Sequence, residues 1–320
     1  MTVFGPVGGV LGAVVGGLAG VAALAAPRDA RAQNAAVVLE LPASARALGL
    51  GGAMTAVGDD DAALFWNPAQ VAAAPRRAAG LSVQNYLEST TLGALSGAAR
   101  WGAGTVGIGV QVLSLGSVRE VVPDPAFGGE RGQETGASVS ASDLALSLGY
   151  AARWRAFRVG AAAKLVRQDV AGESGNAVAG DIGAAMDLIG GRVTVAAAAQ
   201  HIGSDMTVAG SRATMPTLLR AGAAGTLRRE ALTLLVAADV VRTRGFDPRV
   251  AGGAELGWRA TPRVSLTARA GFAQAANGGD ARGATFGGSV AVGRVALDYG
   301  YQGFDALGSA SHRVGVRYRR

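Results

Sequence analysis

The chain has 320 residues, a formal net charge of +7, 50 glycines and no cysteine. Without cysteine it has no disulfides, no thiolate nucleophile and no Cys-based metal site. The basic residues are almost all Arg, scattered singly or in pairs without interleaved aromatics, so the positive charge does not read as a nucleic-acid surface. Taken in order, the chain begins with a long run from Val3 to Ala26 rich in Gly, Ala and Val, followed by Pro27 and Ala30-Arg31-Ala32. Small residues at Ala30 and Ala32 followed by Gln33 read as a cleavage site, giving an export signal over 1–32. No Lys or Arg precedes the run, and its Gly5, Gly9, Gly12, Gly16, Gly20 spacing is also that of a packed membrane helix, so a retained helix is the alternative. After residue 26 no continuous apolar run is long enough for a membrane helix. A glycine-rich, apolar chain can still cross a membrane as a closed barrel, in which every backbone group is paired strand to strand.

Residues 33–77 form a second unit. The stretch from Leu48 to Val71 is too rich in glycine for a comfortable helix and too irregular for a strand, yet Leu48, Leu50, Met54, Leu64, Phe65 and Trp66 need burial. A kinked, half-apolar piece ahead of a long β array reads as a plug inside a barrel. Pro68 holds Asn67 in an extended or turn geometry, Asn67 then bonds nearby backbone, and Trp66 anchors the piece on the inner wall. Gly51 and Gly52 supply backbone freedom in this packed unit and are not a phosphate loop, since no Gly-Lys-Ser/Thr ending follows. Asp59, Asp60 and Asp61 lack the ligand order of a calcium loop and are expected in a solvated turn or paired with lumen arginines.

From Ala78 to the C-terminus apolar and polar residues alternate with period two. Leu144, Leu146, Leu148 and Tyr150 alternate with Asp143, Ala145, Ser147 and Gly149, and Val295, Leu297, Tyr299 and Tyr301 with Ala296, Asp298, Gly300 and Gln302. The pattern predicts about 14 antiparallel strands of roughly 10–12 residues, longer than soluble strands. They start near Ala78, Thr90, Thr105, Asp143, Arg158, Ala177, Arg192, Pro216, Ala231, Arg249, Arg263, Arg282, Arg294 and Ala310. Tight connections alternate with longer ones, including Gly116–Ser142, Ala171–Asn176 and Ser204–Met215. Short turns at one rim and long loops at the other are the outer-membrane pattern, with both termini on the periplasmic side. Trp101, Trp154 and Trp258 fall at short-turn ends, as does a cluster of arginines. Lys164, Asp181, Arg220, Asp239, Glu255, Arg269, Asp298 and Arg317 fall on the polar face and are expected to brace the lumen as a charge network. After Tyr318 the chain ends in Arg319-Arg320 rather than the terminal aromatic residue common in such barrels.

The sequence from Ser44 to Ala53, with Ala56, Asp59-Asp60-Asp61 and Asn67-Pro68-Ala69, resembles the N-terminal signature of the PorV/PorQ family of FadL-like outer-membrane barrels. It covers roughly a tenth of the chain. The resemblance implies a barrel with an N-terminal hatch in its lumen and a role in type IX secretion, docking or escorting secreted proteins at the outer membrane. Gly116–Ser142, with Val121, Val122, Pro123 and Phe127, is the loop that would present an apolar tip to secreted cargo or secretion components. The second reading is FadL-like uptake of a hydrophobic small molecule, with an apolar pocket above the plug and a lateral opening in the wall. The polar inner faces at Gln111, Gln200, Thr233 and Arg269 argue against it, and although Gly107 and Gly109 would permit a wall kink, glycine is too common in this chain for them to count. A third is an orphan barrel without cargo. No reading calls for a cofactor, a metal or an enzyme: two histidines, His201 and His312, show no ligand spacing, and their serine and aspartate neighbours are close only in sequence.

Overall fold

The computed structural model describes residues 35–87, 90–123, 125, 131–208, 210–274, 282–304 and 309–320. The proposed signal at 1–32 and Phe127 lie outside the described residues. The strands are β1 (Arg77–Leu87), β2 (Thr90–Trp101), β3 (Gly104–Pro123), β4 (Gly132–Trp154), β5 (Phe157–Val170), β6 (Glu173–Leu188), β7 (Val193–Gly203), β8 (Met206–Val208), β9 (Ser211–Ala213), β10 (Leu218–Arg229), β11 (Leu232–Thr243), β12 (Arg249–Arg259), β13 (Val264–Ala273), β14 (Arg282–Val292), β15 (Val295–Phe304) and β16 (Ser309–Arg319). Fourteen of them close into one antiparallel barrel, each pairing with its neighbours in order, with β8 and β9 forming a separate small hairpin between β7 and β10. Closure is made by β1 with β16, where Gly80 faces Arg317 and Val83 faces Val314. An even number of strands brings the chain back to the rim where it entered.

Alternation does what a closed barrel requires of it. Leu81, Leu148, Val159, Leu165, Ile182, Leu297 and Val316 are exposed on the outer face, while Ser82, Asp143, Ser147, Lys164, Asp181 and Asp298 between them are buried inside. An exposed belt of large apolar side chains on a closed barrel is a lipid-facing surface. Trp101 and Trp154 are among the most exposed large side chains, at 71% and 67%, and stand at the short-turn rim, where amphipathic rings meet a membrane interface. Among the described residues no helix is long and apolar enough to cross a membrane.

The strand starts fall within a few residues of the sequence expectation, with one large exception. β3 and β4 have 20 and 23 residues, and β5 and β6 have 14 and 16, instead of 10–12. The expected long loop Gly116–Ser142 is mostly strand: Ser117 pairs with Ser140, Val118 with Val139 and Val121 with Glu134, with irregularities after Ser114 and Arg119. β2 leaves β3 at Ser114 and β5 joins β4 only from Ala141. The paired ribbon therefore projects beyond the wall, carrying Val121, Val122 and Pro123 as strand residues. It reads as loop in the sequence because it has no buried face, so nothing forces apolar alternation on it. Ala171–Asn176 is likewise no loop: β5 and β6 join through the two residues Ala171 and Gly172, both at positive φ.

Residues 35–76 lie within the ring. They carry three 3-10 turns, at Val37–Leu39, Ala63–Phe65 and Pro68–Ala73, and one short helix, α1 (Ala45–Gly49), capped by Ser44, whose Oγ accepts from the Ala47 N–H at 3.1 Å. Each of the fourteen barrel strands touches this segment through an inward-facing residue.

Candidate functional site

The interior of the barrel collects nearly all of the polar side chains that alternation turns away from lipid, and it does so in distinct groups. The largest runs from the segment to the wall along β12–β16. Arg46 in α1 forms a two-pronged pair with Glu255, at 2.9 and 3.0 Å, and reaches Asp60 at 3.0 Å. Glu255 also accepts from Arg269 at 2.6 Å, Arg269 donates to Asp298 at 2.9 Å, and Asp298 receives both Nε and Nη2 of Arg317. The result is one continuous, fully alternating chain of charge, in which each buried ion has at least one opposite partner. The sequence reading named five of its six members. It missed Arg46, which neutralises Asp60 from within the same segment. Asp59 is turned outward to Arg319 at 3.2 Å. Asp61 accepts from Ser96 Oγ at 2.8 Å, and burial, together with the neighbouring Asp60, pushes its carboxyl up to about 6. The acidic triplet is thus split three ways: Asp59 is exposed and paired with a wall arginine, whereas Asp60 and Asp61 are buried.

Lys164 and Asp181 form a second group, 2.7 Å apart and fully buried, with His201 Nδ1 3.0 Å from the lysine and the His201 N–H on Asp181 at 2.8 Å. His201 therefore belongs to this wall cluster and not to Ser204 or Asp205. His312 faces outward, 2.8 Å from the Tyr299 hydroxyl. Asp239 stands apart from both groups. Its Oδ2 accepts the N–H groups of Met54 and Thr55 and the Thr55 hydroxyl, at 2.9, 2.9 and 2.7 Å. Arg220 lies over the Trp66 ring, 5.3 Å from its centroid. Arg313, unremarked in the sequence, is completely buried, donating from Nε to Gln84 and from Nη1 to Ser82, both at 2.8 Å. Its place on the inward face of β16 was readable from alternation with Val314 and Val316. Among the described residues no group of three or more His, Asp or Glu is placed to hold a metal ion.

Asn67 is extended, with φ −158° and ψ 111°, and its Oδ1 accepts the Ala69 N–H at 3.0 Å as Pro68 opens a 3-10 turn. Its Nδ2 donates to Thr55 O at 3.0 Å, closing the segment on itself. Gly51 and Gly52 take positive φ, 65° and 83°, which L side chains rarely adopt. The inward glycines of the wall have another role. A Cβ at Gly109 would lie 2.5 Å from the Phe65 ring, one at Gly160 2.6 Å from the Pro68 carbonyl, and one at Gly253 2.6 Å from Leu50 O. Gly107 similarly faces Val71. These glycines are clearance for the segment, not a wall kink.

Toward the loop rim the lining changes character. Leu39 and Leu41 of the segment pack with Leu92, Leu113 and Val166 of β2, β3 and β5 and with Met206 and Met215 around the small hairpin, all buried. Gln111, Gln200 and Arg269 do point inward, but at this level the interior is apolar. On the other side of the same wall an open concavity of about 370 Å³ lies over Leu144, Leu146, Leu165 and Val178, and it reaches Val166 and Ala177 of the inner layer. A second space, about 40 Å³, lies between Trp66 and the loop-side ends of β12–β15.

No family model matches the sequence, and no curated protein matches it. Solved structures do. The chain is similar to the Pseudomonas putida toluene transporter TodX, at 14% identity over 86% of this chain and 97% of that one, with a TM-score of 0.59. It is similar to the Ralstonia pickettii toluene transporter TbuX, at 14% identity, 86% and 98% coverage and a TM-score of 0.58. For a Pseudomonas aeruginosa FadL homologue the values are 11%, 87% and 98%, and 0.53. At these identities the likeness is one of fold, a closed antiparallel barrel of fourteen strands.

Proposed function

We propose that the protein is a non-enzymatic outer-membrane channel for small hydrophobic molecules, exported by its N-terminal signal and closed at rest by residues 33–77 acting as a plug. The observation that carries this is the apolar layer at Leu39, Leu92, Leu113, Val166 and Met206, which backs directly onto the lipid-facing concavity of about 370 Å³ through Val166 and Ala177. Burial of apolar surface is the driving force for an uncharged ligand, and methionines adapt to its shape. The names of the similar structures, two toluene transporters among them, support the same class of cargo. The mature protein is expected in the outer-membrane fraction with heat-modifiable gel mobility. Uptake of toluene by cells expressing it is expected to fall at least several-fold for Leu113→Asp, with the folded band retained. Equal uptake by wild type and variant ends the proposal.

A second reading, docking of secreted proteins as in the PorV/PorQ resemblance, is favoured only by the β3–β4 ribbon, where Val118, Val121 and Val122 are exposed beyond the wall. Removing residues 117–140 separates the two: cargo docking is lost with the ribbon, whereas toluene uptake is kept.

A further inference from the structure

We propose that the short-turn mouth of the barrel is a docking ring for an acidic polypeptide, the acidic face of a protein in the compartment beneath the outer membrane. The inference takes its orientation from the outer-membrane reading and is independent of the cargo. At this rim the alternation of the wall sorts two residue types. Trp101, Trp154 and Trp258 take outward positions at the ends of β2, β4 and β12 and are exposed. Beside each stands an arginine of the inward parity, Arg100, Arg153 and Arg259. Residues opposite each other in register share a face of the sheet. Arg100 is opposite Thr105, which is fully buried, and Arg153 is opposite Arg158, which is buried as well. Arg228, Arg263 and Arg294 lie an even number of residues from buried Ala224, Arg269 and Asp298, and so continue the inward rows. All of these arginines are themselves exposed, because each stands at the end of its row. The wall therefore carries indole rings on its lipid side and crowns the mouth with cations.

The crown is short of counter-charge. Arg153 is paired with Asp187 at 2.7 Å, whereas Arg100, Arg228, Arg259, Arg263 and Arg294 form no ion pair among the described residues. Of the acids at this rim, Asp59 is held by Arg319 and Asp187 by Arg153 and Arg158, which leaves Glu230. Spacing decides the kind of partner. Strands lie ~4.8 Å apart, so crown arginines on successive hairpins are roughly 10 Å from one another. A single carboxylate or phosphate does not bridge that gap, and a tilted fourteen-stranded ring is on the order of 25–30 Å across. An occupant that neutralises several of these cations presents several acids on one surface, as a protein does. A lipid headgroup approaches from the outward face, where the positions beside Arg100, Arg153 and Arg259 are tryptophan. Exposed charge of this kind sets the rate and the salt dependence of an encounter.

The test uses the full chain in phosphatidylcholine nanodiscs and a fluorescein-labelled decaglutamate peptide, read by fluorescence anisotropy. The wild-type protein is expected to bind the peptide at about 20 mM NaCl and to lose at least tenfold in affinity at about 500 mM, where screening cuts off exposed charges within ~5 Å. A variant carrying Arg100→Gln, Arg228→Gln, Arg259→Gln, Arg263→Gln and Arg294→Gln is expected to bind at least tenfold more weakly at the lower salt. Lys at the same five positions is expected to keep the binding, because the crown acts through charge. A control carrying Arg119→Gln, Arg131→Gln, Arg167→Gln, Arg212→Gln and Arg244→Gln removes the same charge from the opposite rim and is expected to bind as the wild type does. No peptide binding by the wild type, equal binding by the wild type and the crown variant in a folded barrel, or equal weakening by the control overturns the inference. So does phosphatidylglycerol retained in native mass spectrometry by the wild type and not by the crown variant, with no peptide bound, which makes the crown a lipid site. Failure on any of these counts leaves toluene uptake, and with it the channel reading, untouched.

Discussion

The two halves of the lumen hold the same N-terminal segment by different chemistry. Along β12–β16 it is fixed by the charged chain from Asp60 and Arg46 through Glu255 and Arg269 to Asp298 and Arg317. Along β2–β6, toward the loop rim, it is held by Leu39 and Leu41 against Leu92, Leu113 and Val166. Salt bridges inside a protein demand fixed geometry and fail sharply when one partner is lost. Apolar contacts are non-directional and tolerate rearrangement. The charged half is therefore the anchor, and the apolar half, next to the wall concavity, is the side better able to repack.

The contrast can be broken most severely at Arg46. Arg46→Met leaves buried Asp60 without its ion-pair partner and Glu255 with Arg269 alone, and is expected to cost about 3–5 kcal/mol and to open the segment to protease, read by thermal unfolding and limited proteolysis in nanodiscs. Gly183→Ala sets a methyl against Asn67 and Pro68 and is expected to cost about 1–3 kcal/mol, because backbone and wall must shift apart. A smaller effect belongs to Asp61. Its folded pKa of about 6 lies above the ordinary carboxylate value, so the native state keeps a proton that the unfolded chain loses between pH 4 and 6. That contribution is complete at low pH and is lost as pH rises from about 4 through 6, and Asp61→Asn is expected to flatten the dependence. Leu41→Met, in the adaptable half, is expected to cost no more than about 1.5 kcal/mol. A loss there as large as at Arg46 would erase the distinction between anchor and adaptable half.

Much of the wall was legible because period-two alternation is local. Asp143 inside and Leu144 outward, or Arg269 inside and Phe272 outward, follow from the pleat once one face must meet lipid. The same rule marked Lys164, Asp181, Glu255, Asp298 and Arg317 as inward. It failed where no buried face imposes a pattern, on the projecting β3–β4 ribbon, and where a turn needs only Ala171 and Gly172. It was silent on which inward charges meet. Asp60 finds Arg46, 14 residues away in the same segment, while Lys164 finds Asp181 on the next strand.

The amino-acid order alone thus determined a ring of antiparallel strands with a lipid-facing belt, because each strand carries its own two-sided pattern. Only the tertiary structure decided what the ring encloses. Partners such as Arg46 and Glu255 lie 209 positions apart, and the glycines at 109, 160 and 253 acquire meaning only once a second backbone runs against them. Contacts between distant parts of the chain depend on closure of the barrel, and no local period encodes them.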